Sequence, residues 1–208
     1  MTTSRARAVS NEPIDFRKIY HAFPPYQTLK CLGQALFRNK YARSYACLLD
    51  LDPDVISWRC MPEAIVNDSN AIRPRWWHVD FAVETSQGAL LVTLWQTSTG
   101  GPSWLAGVAE RMGYRLHNVS MLDLDPVRLQ NATDLMRYVG SEVPLGDRVR
   151  VLAALDEAGT LTLAESLSVI RESKPMHSVA AMILSGILEV DLSETLLGPD
   201  SVVRRALK

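Results

Sequence analysis

Apolar and polar positions are most regularly ordered between Arg75 and Trp95. Val79, Phe81 and Val83 recur at every second residue, and Leu90, Leu91, Val92 and Leu94 follow beyond Gln87-Gly88. Successive side chains of a strand point to opposite faces. The spacing therefore predicts two strands, Arg75 to Val83 and Ala89 to Trp95, joined by a tight turn. Their high apolar content predicts a central, largely buried sheet. Upstream, Leu29, Leu32, Ala35 and Leu36, then Ala46, Leu48 and Leu49, predict one or two helices within residues 26–50. Asp52-Pro53 ends the second, because the residue before a proline is pushed out of the helical region. Val55 to Cys60 and Glu63 to Val66 have strand composition, and Asn67-Asp68-Ser69-Asn70 is a turn cluster.

Thr99-Gly100-Gly101-Pro102-Ser103 breaks the chain, and Ser103 or Gly101-Pro102 opens a helix that runs to Gly113. Arg115 to Val119 reads as a strand and Pro126 to Val139 as a helix. This order predicts an α/β core with mixed strand directions. The pattern changes near Gly140 to Gly146. Arg148 to Ala158 predicts a helix ended by Gly159. Thr160 caps a second helix reaching Arg171, with Glu165 near its start. Pro175 to Ser185 predicts a third, ended by Gly186, and Ile187 to Leu192 a short strand. Three helices and a strand over residues 146–205 fit a small helical or winged-helix-like module. Residues 1–15, polar and without periodicity, read as disordered. Arg204, Arg205 and Lys208 read as a solvated basic tail.

Composition is that of an ordinary globular protein, with 47% hydrophobic and 22% charged residues. No run of about 18 apolar residues predicts a membrane span, and no apolar stretch follows Arg5 and Arg7 to suggest a signal peptide. Cys31, Cys47 and Cys60 lack metal-site spacing and read as reduced thiols of a cytoplasmic protein. Charge is unevenly placed. Residues 1–49 hold eight Lys or Arg against two acids, and no Asp or Glu lies between Phe16 and Leu49. Arg38, Lys40 and Arg43 fall in that window and are candidate phosphate contacts. An internal match to the acidic remainder is the alternative. Trp76, Trp77 and Trp95 are candidate stacking platforms for bases or packing residues. His21, His78, His117 and His177 have no zinc-site spacing, and no phosphate-binding glycine loop is present, so neither a metal nor a cofactor is expected.

Several short motifs recur in a fixed order over residues 40–205. They are Leu48-Leu49-Asp50-Leu51-Asp52-Pro53-Asp54-Val55, Met61-Pro62, and His78-Val79-Asp80-Phe81-Ala82-Val83. Asn131 with Leu135, Thr160-Leu161-Thr162-Leu163, and Ile187 to Leu192 followed by Leu196 and Val202 complete the set. Together they resemble the TnsA-type endonucleases of transposons, in the restriction-endonuclease-like PD-(D/E)XK superfamily. The resemblance implies a mixed sheet flanked by helices over residues 16–140. It also implies DNA as a partner, with a transposase or an AAA+ ATPase beside it. Such nucleases hold divalent metals between a helix carboxylate, a strand aspartate and an acid or amide on the next strand, with a lysine two residues on. Carried over, these positions fall on Ala42, Asp80, Thr93 and Trp95. Only Asp80 is retained, so the resemblance implies a catalytically degenerate member in which Asp80 is vestigial. Asp80 is then a carboxylate bonded to a neighbour such as Arg75 or His78. A nuclease with a rearranged Mg²⁺ site would draw on Asp80, Glu63 and Glu84. A protein-interaction module without DNA binding is the third expectation.

Overall fold

The computed structural model describes residues 27–61, 64–67, 75–95 and 101–206. Helix α1 spans Lys40–Leu51. The Asn39 side chain accepts the Ala42 amide at its start, and extended Asp52 ends it ahead of Pro53. Ala42, Tyr45, Ala46 and Leu49 form its buried stripe. The helix expected around Leu29 to Leu36 is absent. Lys30 and Leu32 instead pair with the backbone of Trp58, and Gly33 takes a φ of 87°. The backbone of residues 30–32 thus covers the outer edge of strand β1 (Val55–Cys60), whose unpaired groups outweigh local helical spacing.

The main sheet comprises β1, β4 (Phe81–Thr85), β5 (Gly88–Trp95) and β6 (Arg115–Ser120), in the order β1-β4-β5-β6. The first three run antiparallel. The crossover through α2 (Trp104–Arg111) makes β6 parallel to β5. Phe81, Val83, Val92 and Leu94 pack towards α1. Ala82 and Leu91 pack on the other face with Leu105, Val108 and Ala109 of α2. The chain is therefore a mixed α/β fold whose mixed sheet is flanked by helices. The single strand expected from Arg75 to Val83 is split. Arg75–Trp77 forms β3 and pairs with β2 (Ile65–Asn67) in a separate ribbon. Residues 78–80 cross from that ribbon to β4. The expected turn cluster beyond Asn67, residue Glu63, residues 1–26 and Lys208 lie outside the described residues.

Helix α3 (Pro126–Leu135) continues into a 3₁₀ turn, Met136–Tyr138. The rest of the chain follows the order α4 (Leu145–Ala158), β7 (Thr160–Thr162), α5 (Leu163–Ser168), α6 (Pro175–Leu184), β8 (Leu188–Val190) and β9 (Val202–Arg205). Its three strands form an antiparallel sheet, β7-β9-β8. Thr162, not Thr160, caps α5, through a reciprocal capping box with Glu165. Arg204 and Arg205 lie on the central strand of this sheet and pair with Glu189 and Asp156. Val203, just before them, is buried. Val151, Leu155, Val179, Met182, Leu188 and Val203 share one apolar cluster. No helix is long and apolar enough to cross a membrane among the described residues.

Candidate functional site

Asp80 lies where the chain leaves the β2–β3 ribbon and joins β4. Its backbone already follows the ladder, since its amide donates to the Val92 carbonyl at 2.9 Å. Its carboxylate turns to β5, where Oδ2 accepts the Leu94 amide at 2.8 Å. The same oxygen accepts Arg38 Nη2 at 2.9 Å, and Nη2 also donates to the Leu94 carbonyl at 3.1 Å. Arg38 sits just before α1, so the start of the helix and the middle of the sheet are joined by this one guanidinium. The side chains are 28% and 1% exposed. Asp80 Oδ1 has no hydrogen-bond partner among the described residues. Burial pushes the Asp80 carboxyl up to about 6, against the pull of Arg38 and the Leu94 amide. Burial, reinforced by the charge of Arg38, pulls the neighbouring His78 down to about 4.

A carboxylate oxygen and a backbone carbonyl are the ligand types that a hard divalent cation takes. Here a guanidinium nitrogen bonds both. The remaining nuclease positions do not supplement Asp80. Ala42 is buried in the apolar cluster between α1 and the sheet. The Thr93 hydroxyl donates to Asn118 Oδ1 at 2.7 Å and accepts from Trp95 Nε1 at 2.9 Å. Glu84 is exposed near the hairpin, four residues along the strand, or about 13 Å from Asp80. No group of three or more His, Cys, Asp or Glu that could hold a metal occurs among the described residues. The described residues around Asp80 do not fit a divalent metal centre; Glu63, the third candidate for a rearranged site, lies outside the described residues.

The tryptophans divide. Trp77 and Trp95 stack with centroids 5.0 Å apart and planes at 23°, and Trp77 packs against the α2 cluster. Trp76 instead meets His78 edge to face at 5.3 Å. Among the candidate phosphate contacts, Lys40 is exposed with Nζ 5.1 Å over the Tyr41 ring. Arg43 is half-buried, and Arg38 is held by Asp80.

Spacing alone did not single out three buried polar groups. Asp50 accepts Trp58 Nε1 at 2.7 Å and the Lys30 amide at 2.9 Å, tying the edge segment to α1. Asp147 is buried on α4 and accepts the amides of Arg171 and Glu172 and the Ser173 hydroxyl. Burial pushes its carboxyl up, but those donors prevail and hold it below the usual range. Asn131 donates to the carbonyls of Leu192 and Thr195 and accepts the Leu197 amide. It pins the loop before β9 to α3. Asp50 and Asn131 stand in the motifs quoted above, but nothing in their neighbours, or in Gly146-Asp147-Arg148, marks these side chains as buried.

Helix α6 presents little to solvent. Ser178, Val179, Ala180, Ala181 and Met182 are buried, Leu184 packs with Cys47, Ala132 and Met136, and His177 meets Tyr138 edge to face at 5.1 Å. No family model matches this chain, and no curated protein matches it.

Proposed function

We propose that this chain is a nuclease-fold protein without nuclease chemistry, acting as a subunit of a DNA-transaction complex. The observation that carries this reading is Arg38 Nη2 bonding both Asp80 Oδ2 and the Leu94 carbonyl. A cation tethered to the protein takes the place that a divalent ion would need. Further support comes from the order of elements α1-β1-β4-β5-α2-β6, with a parallel final pair. That order is compatible with a restriction-endonuclease-like core of the TnsA type, and α4-β7-α5-α6-β8-β9 with a winged-helix-like module. DNA, a transposase or an AAA+ ATPase are the partners such a resemblance implies. Phosphate contacts fall to Lys40 and to Arg75 on the ribbon, both exposed. Helix α6, which in a winged-helix reading would enter the groove, has its middle buried.

The test is cleavage of supercoiled and linear DNA with Mg²⁺ or Mn²⁺, beside Asp80→Ala. The expected result is no cleavage by either protein. Metal-dependent nicking that disappears in Asp80→Ala would establish an active nuclease instead.

A further inference from the structure

Two surface features have no role in the Asp80 site. The first is a groove of about 770 Å³ between α3, α5 and the loop before β9, floored by Leu135, Leu167, Met176, Leu197 and Pro199. Leu196, on its rim, is 59% exposed. An adjoining hollow shares that loop and adds the acids Asp191, Glu194 and Asp200. Glu194 and Asp200 have no ion pair among the described residues. The one cation of the groove, Arg137, is paired with Asp134. Groove and hollow together are apolar and acidic.

The second feature is the outer stripe of α4. Leu145, Arg148 and Val149 stand at i, i+3 and i+4, on one side of the helix. Leu145 is 75% and Val149 56% exposed. Arg148 is exposed without an ion pair among the described residues. Val151, Leu152 and Leu155 turn towards the apolar cluster, while Leu145, Arg148 and Val149 beside them face outwards. The stripe is apolar and basic, the chemical complement of the groove.

We propose that the chain associates head to tail with copies of itself, the α4 stripe of one copy seated in the α3–α5 groove of the next. An amphipathic helix in an apolar groove is a recurrent recognition mode, and Arg148 facing Glu194 or Asp200 sets its direction. The two surfaces use different residues. In this head-to-tail arrangement each copy offers its stripe to one neighbour and its groove to another. The contact therefore propagates into a ring or an open chain; a reciprocal two-fold pairing would stop at the dimer and overturn the proposal.

Sedimentation velocity on the full chain, from low to high micromolar, tests this. Species beyond the dimer are expected to grow with concentration and to recede as salt rises. Val149→Asp on the stripe and Ala164→Trp on the exposed groove side of α5 should each weaken association at least about tenfold. Both positions are exposed, so the far-UV circular dichroism should not change. A one-to-one mixture of the two variants retains one intact contact and should stop at a heterodimer. The association is read without DNA or metal, so its outcome is independent of the Asp80 reading. A parent that is monomeric throughout overturns it, as does a mixture that forms no heterodimer. Association that appears only when residues 1–26 are removed also overturns it, by assigning the groove to this chain's own segment.

Discussion

Arg38 and Asp80 form a pair whose halves are unequal in burial, and that inequality sets what each substitution does. Removing Arg38 leaves a carboxylate buried without its charge partner. Breaking a buried pair costs about 3–5 kcal/mol, and the low end, about 3 kcal/mol, is expected because Arg38 is 28% exposed. Urea denaturation of Arg38→Met should show that loss. Arg38→Met with Asp80→Leu should recover most of it, since two apolar groups need no partner. The pair also enters the pH dependence, together with His78. Asp80 titrates near 6 in the fold against an ordinary 3.8. The folded state therefore holds a proton that the unfolded chain releases, and stability from Asp80 falls as pH rises from about 4 to about 6. His78 titrates near 4 against an ordinary 6.5. Its contribution is present above 6.5 and is lost as pH falls towards 4. The two oppose each other between pH 4 and 6. Asp80→Asn should steepen the acid-side loss measured in urea from pH 6.5 to 4.5, and His78→Phe should flatten it. Unchanged slopes in both variants would remove these groups from the account.

Elements are joined at a few buried polar residues, and Asn131 is the clearest. Its amide makes three hydrogen bonds to the loop of residues 192–197, and it is 2% exposed. Asn131→Ala leaves a backbone amide and two carbonyls to find other partners, at about 1–3 kcal/mol. The specific expectation is faster hydrogen exchange at the Leu197 amide, while amides of β5 stay protected. Equal loss of protection everywhere would mean that Asn131 supports the whole fold rather than this loop. The same elements show what was legible in the sequence. Helices α2, α3, α4 and α6, strands β1 and β6 and the β4–β5 hairpin follow from spacing, because their apolar positions match one period and glycine or proline marks their ends. The helix expected near Leu29 fails, because the edge of β1 recruits residues 30–32. Strand β9 escapes notice, because Val-Val-Arg-Arg is short and gains its meaning only from pairing with β7 and β8. The Asp80 position is legible as a carboxylate on the hairpin. Its partner is not, because Arg38 is 42 residues away in sequence and nothing local couples them.

On the scale of the whole molecule, burial decides which cations could serve the proposed contact with DNA. Of the described cations between residues 27 and 49, Lys30 bonds the Asp52 carbonyl, Arg38 bonds Asp80 and Arg43 is half-buried. Lys40 remains exposed at the start of α1, and Arg75 on the β2–β3 ribbon. In the C-terminal segment, Lys174 is the exposed cation that precedes α6. Each phosphate neutralised steepens the salt dependence of duplex binding by about 0.9 in log K against log salt. If the half built on the four-stranded sheet makes the contact, Lys40→Ala and Arg75→Ala should each flatten that slope by about one unit. Lys174→Ala should leave it unchanged, because the middle of α6 is packed against the rest of the protein and cannot enter a groove without unpacking. Fluorescence anisotropy of a labelled duplex, titrated at a series of salt concentrations, gives all three slopes. A flattened slope in Lys174→Ala alone would transfer recognition to the C-terminal segment, and would require α6 to leave its contacts with Tyr138 and Met136 on binding.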